Sequence, residues 1–154
     1  MSFLFELDED KLAEQLPDIF AKYEAKVQNA APLFDLEGQR LEMLLRELPK
    51  HQAHYDHRAQ EMKQLMKWLE NFKAKTESRL LKNYNGGRNQ VFSARDVTTM
   101  IGGEKDIVEL NQLIIEATLL YEQLDSIVEG FKTMNWTLGY VTKLRISELQ
   151  ETII

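Results

Sequence analysis

Cysteine is absent from the 154 residues, which excludes disulfide cross-links, thiol nucleophiles and thiolate-bound zinc, and fits the reducing cytoplasm. Proline (three) and glycine (seven) are scarce, so few positions force the backbone out of a helix. No apolar run reaches the length needed to cross a bilayer. The stretch Met1 to Asp10 is acidic and has no basic region followed by an apolar core, so it does not read as a secretory signal. A soluble chain without membrane contact is expected. Histidine is rare too: His51, His54 and His57 are the only three. Two histidines at i and i+3 can share a metal, but the next step of three carries the third around the helix. Neither a Glu-x-x-His pair nor His-Glu-x-x-His is present. The trio reads as a solvated face, and no metal site is expected.

Catalytic constellations are also missing. Asn85-Gly86-Gly87-Arg88 and Gly102-Gly103-Glu104-Lys105 are glycine-rich, but neither lies between a strand and a helix or runs into Gly-Lys-Ser/Thr. They read as helix caps. No nucleophile has a base and an orienting partner in sight. The expectation is a non-enzymatic protein without cofactor.

What is present argues for long helices. Hydrophobic residues make up 44% and charged residues 29%, which separates the chain from disordered sequences. Asp8 or Asp10 is placed to cap a first helix toward Asn29, with Leu12, Leu16, Ile19, Phe20 and Tyr23 as its apolar face. Pro17 bends this helix or marks its true start. Asn29 to Asp35 reads as a connection, and Leu41, Leu44, Leu45 and Leu48 restart the helical period. Pro49 marks a kink or the first turn of a helix from Lys50 to about Asn83, with Met62, Leu65, Met66, Leu69 and Phe72 facing inward. Asn85, Gly86 and Gly87 stop it. Ser93 and Asp96 form a capping box for a short helix ending at Gly102–Gly103.

A last helix is expected from Glu104 to about Glu148. Ile107, Leu110, Ile114, Ala117, Tyr121, Leu124, Val128 and Phe131 alternate steps of three and four, the seam of a coiled coil. Val108, Leu113, Ile115, Leu120 and Ile127 widen it beyond a two-stranded pair. Two arrangements satisfy this pattern. In one, Ile107, Leu110, Ile114, Tyr121, Leu124, Val128 and Phe131 form an oligomer interface; in the other, the helix folds back on residues 58–82 as a hairpin. The fold class is all-α: long amphipathic helices, a helical hairpin and a C-terminal coiled-coil-like oligomerisation helix. One structural domain is expected overall, with an acidic helical region over 1–49 and a basic helix plus oligomerisation helix over 50–154.

Charge is unevenly spread. Residues 1–49 hold five Lys/Arg against eleven Asp/Glu, residues 50–88 nine against four, and residues 89–154 five against ten. A basic middle between acidic arms is an electrostatic footprint hidden by the net charge of −6. Lys75, Arg79 and Lys82 stand at i, i+4 and i+7; Lys63 and Lys67 precede them, Lys73 is read just off the line, and Tyr84 and Arg88 follow. Cations one turn apart can track a phosphate backbone while an aromatic stacks on an unpaired base. The same row can also be a solvated face paired with the acidic arms.

From Arg79 to Glu148 the chain resembles the UvsY recombination mediators of T-even-like phages. The resemblance is carried by basic residues before a Tyr-x-Gly stop (Tyr84-Asn85-Gly86), then Lys105-Asp106 and a long apolar-periodic helix. It closes with Asn135, Trp136, Leu138, Val141 and Arg145. The family's basic pair aligns with Ser78 and Leu80, its cations being shifted here to Arg79 and Lys82 or to Lys73 and Lys75. The family's later basic residues are replaced by Met134 and Gly139. The resemblance implies an accessory protein of phage DNA recombination and repair, a hexameric or heptameric homo-oligomer in the host cytoplasm. It implies binding of single-stranded DNA through basic residues before the stop, displacement of the single-strand-binding protein and loading of a RecA-like recombinase; with the spacing above, the expected nucleic-acid contacts are Lys73, Lys75, Arg79, Lys82, Tyr84 and Arg88. The alternative is a non-catalytic helical adaptor or virion-assembly chaperone, with the wide apolar face of the last helix receiving a partner helix.

Overall fold

The structure, a computed structural model, describes residues 3–86 and 93–151. Four α-helices carry it, with no strand among the described residues: α1 (Leu12–Gln28), α2 (Leu41–Gly86), α3 (Ala94–Gly102) and α4 (Lys105–Glu151). Short 3-10 turns cover Phe3–Glu6, Glu9–Lys11 and Ala31–Phe34. The all-α expectation holds.

Local chemistry sets most of the boundaries. The Asp8 carboxylate accepts the Asp10 N–H at 3.0 Å and so caps the turn that leads into α1. Pro17 lies inside α1 and neither starts nor ends it. The connection after α1 contains the Ala31–Phe34 turn and then Gly38, whose φ of +70° lies in the left-handed region where a side chain is disfavoured. Helix α2 begins nine residues before the expected start at Lys50, running straight through Pro49. Pro49 is exposed, so water can reach the position where the proline ring removes one backbone hydrogen bond. Ser93 caps α3 as its spacing predicts, accepting the Asp96 N–H at 3.2 Å and donating its hydroxyl to the Asp96 carboxylate at 2.6 Å. The Gly103 N–H closes the far end on the carbonyls of Thr99 and Met100.

The chain divides into two compact units, each assembled from segments distant in sequence. One comprises Met1–Ala21 with Glu61–Leu119, the other Lys22–Gln60 with Leu120–Ile154. In the first unit Leu16, Met62, Leu65, Leu69 and Ile107 are buried, and a satellite cluster of Val97, Ile101 and Ile107 packs with Leu80 and Tyr84. In the second unit Phe131 is the hub. Its ring stacks on Phe34 at 4.6 Å and on His51 at 6.0 Å, and Tyr55 tilts against it at 5.6 Å. The Tyr55 hydroxyl donates to the Lys26 carbonyl at 2.9 Å. His51 is thus part of an aromatic cluster, while His54 and His57 lie on the exposed face expected for all three.

This packing changes the reading of the α4 seam. Ile107, Leu110, Leu124, Val128 and Phe131 are at most 4% exposed within one chain, and Ala117 is fully buried. The chain covers these residues itself, without a second copy; Phe131 is enclosed by Phe34, His51 and Tyr55, and Ile107 packs with Val97 and Ile101. Ile114 and Tyr121 stay half-buried. The apolar surface that α4 leaves open is different: Val108, Ile115 and Leu119 in the first unit, and Trp136, Tyr140, Leu144 and Leu149 in the second.

Candidate nucleic-acid interface

Helix α2 displays the basic segment. Its inward positions, Met62, Leu65, Leu69 and Thr76, recur at steps of three, four and seven, which fixes the opposite side toward solvent. Thr76 satisfies its buried hydroxyl by donating to the Phe72 carbonyl at 2.9 Å. Between 63 and 82, the exposed residues of α2 include five cations, Lys63, Lys67, Lys75, Arg79 and Lys82, and one acid, Glu70. Gln64, Asn71 and Ser78 lie exposed among them. The face is therefore a polycationic strip interleaved with uncharged hydrogen-bonding groups.

The sequence-predicted residues divide on this geometry. Lys82 is exposed on the strip. Lys75 and Arg79 are exposed as well, but acid stands near both. Lys75 Nζ pairs with Glu9 Oε1 at 3.2 Å. Arg79 borders an open cleft of about 580 Å³, floored by Leu12, Pro17, Phe72, Leu110 and Leu113 and walled by Glu9, Asp10, Asp106, Glu109 and Glu116.

Lys73 does not share the strip. Two residues from Lys75 at about 100° per residue, it points to nearly the opposite side of the helix, where it is half-buried and lies 3.8 Å from Glu77. Tyr84 is likewise engaged. Its ring packs on the Val97–Ile101–Ile107 cluster and its hydroxyl donates to the Glu104 carboxylate, bracing the end of α2 against the start of α4. That hydrogen bond, with burial and the carboxylate's charge adding to it, raises the phenol above its ordinary pKa. Arg88 lies outside the described residues. Lys63 and Lys67, which precede the Lys75–Arg79–Lys82 row, belong to the strip; their spacing of four with no acid between them is the signal in the sequence.

Among the described residues no group of three His, Asp or Glu side chains is arranged to hold a metal ion, and no helix is long and apolar enough to span a membrane.

No family model matches the chain, and the curated proteins contain no sequence match. By structure, the chain is similar to the bacteriophage T4 recombination mediator protein UvsY. The similarity covers 82% of this chain and 98% of that one, with a TM-score of 0.69 and 13% sequence identity. The fold is thus UvsY-like, and the likeness extends well beyond the stretch Arg79 to Glu148 that carries the sequence resemblance.

Proposed function

We propose that this chain is a non-catalytic mediator of phage-type homologous recombination that binds single-stranded DNA along the outer face of α2. The observation that carries the reading is the strip of five exposed cations against one acid between Lys63 and Lys82. The fold shared with a recombination mediator supports it. Phosphates of an unpaired strand are the partner that such a strip fits, since cations about one turn apart meet a polyanion without reading its bases. On this reading Lys63, Lys67 and Lys82 form the open core of the site, Lys75 and Arg79 extend it, and Tyr84 holds the helix end in place.

The protein then acts as a homo-oligomeric ring. One copy supplies a few weak phosphate contacts; several copies on one strand bind far more tightly through effective concentration. The exposed apolar residues of α4, among them Ile115, Leu119, Trp136 and Tyr140, are the proposed contacts between copies. A strand wrapped in this way is held off the single-strand-binding protein and presented to a RecA-like recombinase. A competing reading takes the same α4 residues as the seat of a partner helix, making the chain an adaptor or assembly chaperone. That reading predicts a monomer or dimer indifferent to DNA.

The test is titration of an unpaired oligonucleotide by anisotropy at several salt concentrations, with light scattering on the same sample. Three phosphate contacts per copy give a log–log salt slope of about −2. Changing Lys63, Lys67 and Lys82 together to Ala is expected to flatten that slope and weaken binding at least tenfold without altering particle mass. Binding that is absent in dilute buffer, or indifferent to salt, refutes the function.

A further inference from the structure

Two of the five cations on the strip are already occupied or faced by acid. Glu9 reaches across to Lys75, and Glu9 and Asp10 wall the cleft that Arg79 borders. The turn bearing these carboxylates is seated by contacts that do not involve the cations. The Asp8 N–H donates to Gln15 Oε1 at 2.8 Å, Gln15 Nε2 donates to the Glu6 carbonyl at 3.1 Å, and Asp8 caps the Asp10 N–H. Gln15 thus clasps the acidic turn onto α1 and holds its carboxylates in front of α2.

We propose that the turn Glu9–Lys11 is an autoinhibitory occupant of the cation strip, standing where a polyanion's phosphates would otherwise sit on Lys75 and Arg79. The inference rests on the nucleic-acid reading above. Both ends of the Lys75–Glu9 pair are open to solvent, at 71% and 42% exposure, so the pair is weak and exchanges readily. A strand already anchored on Lys63, Lys67 and Lys82 brings its next phosphates to Lys75 and Arg79 at high effective concentration and displaces the carboxylates. A small or isolated anion has no such anchor and does not. The acidic turn therefore selects for extended polyanions and keeps the strip quiet toward short ones.

The test uses the full chain with Glu9→Gln and Asp10→Asn together, changes that keep shape and remove two negative charges. An oligothymidine titration at low ionic strength is expected to show about fivefold tighter binding than the parent, the gain shrinking as salt is added. A control with Glu42→Gln and Glu122→Gln removes the same charge from two other exposed acids; an equal gain there reduces the effect to net charge and overturns the proposal. In a Lys75→Ala, Arg79→Ala background the gain is expected to vanish, and its persistence overturns the proposal too. An acid variant that binds like the parent sinks the autoinhibition and leaves the DNA-binding function standing. A parent that binds no single strand at all removes both.

Discussion

Gly130 is a residue whose role depends on what it lacks. A Cβ at this position would stand 3.0 Å from two ring atoms of Phe34. That ring cannot withdraw easily, because it is stacked on Phe131 at 4.6 Å. Replacing a helical glycine with alanine ordinarily stabilises by up to about 1 kcal/mol, whereas forcing a methyl group into a packed aromatic cluster costs roughly 1–3 kcal/mol. Gly130→Ala is therefore expected to lower stability by about 1 kcal/mol; a urea midpoint at or above the parent's would show that the cluster has room. Two phenols mark a second residue-scale effect. Tyr84 is held protonated chiefly by its bond to Glu104, and burial alone pushes Tyr55 up. A group whose pKa is higher in the folded than in the unfolded state stabilises fully below the unfolded value and loses that contribution as pH climbs through the folded one. Stability should thus hold to about pH 10 and fall above it. Ultraviolet titration is expected to show Tyr55 and Tyr84 ionising late, the Tyr84 part of that late signal being lost in Tyr84→Phe. All five titrating together near pH 10 would contradict the assignment.

At the scale of elements, helices with strong local signals could be read directly. Ser93 and Asp96 set the start of α3 and Gly103 its end because capping is a local matter of a few backbone groups. The first helix followed from Asp8 and the Leu12–Leu16–Phe20–Tyr23 spacing in the same way. Pro49 does not start a helix but lies inside α2, since an interior proline is tolerated where the lost hydrogen bond is exposed to water. The seam of α4 was visible as a pattern, but a pattern does not say whether the partner helix belongs to the same chain. Phe131 is buried against Phe34, His51 and Tyr55, a long-range outcome that periodicity cannot encode. The strip on α2 was legible in part: the spacing of Lys75, Arg79 and Lys82 exposed one row, while the acids that approach two of its members come from positions 9 and 10. Tyr84 looks like a stacking platform in the sequence because its brace to Glu104 crosses twenty residues. The seam itself gives a test at this scale. Leu124→Asp places an unpaired charge at a fully buried position and should cost at least about 3 kcal/mol, unfolding the chain. Ile115→Asp, at a site 61% exposed, should preserve the helical circular dichroism signal and reduce particle mass. A folded Leu124→Asp protein of reduced mass would restore that residue to the subunit contact.

At the scale of the whole molecule, the basic middle and acidic arms seen in the sequence become two different surfaces of one unit. Carboxylates from 9, 10, 106, 109 and 116 collect along the cleft, and lysines 63, 67 and 82 lie exposed on α2. The net charge of −6 repels a polyanion at long range, so on the proposed function association should speed up as salt first screens that repulsion, even while equilibrium affinity falls. Stopped-flow association rates over the same salt series check this; a rate that only declines with salt would mean the strip dominates the field at a distance as well.

The interleaving of the two units has a consequence for how the chain is made. Its order of synthesis runs against its order of burial. When the ribosome has added Leu119, every segment of one unit exists, and that unit can close. The aromatic cluster of the other waits, since Phe34, His51 and Tyr55 have emerged early but their hub, Phe131, belongs to the final stretch. Until those last residues are added, about forty early ones remain without a core to join. A chain that stops before Phe131 would therefore hold every segment of one unit while leaving the aromatic cluster of the other without its hub.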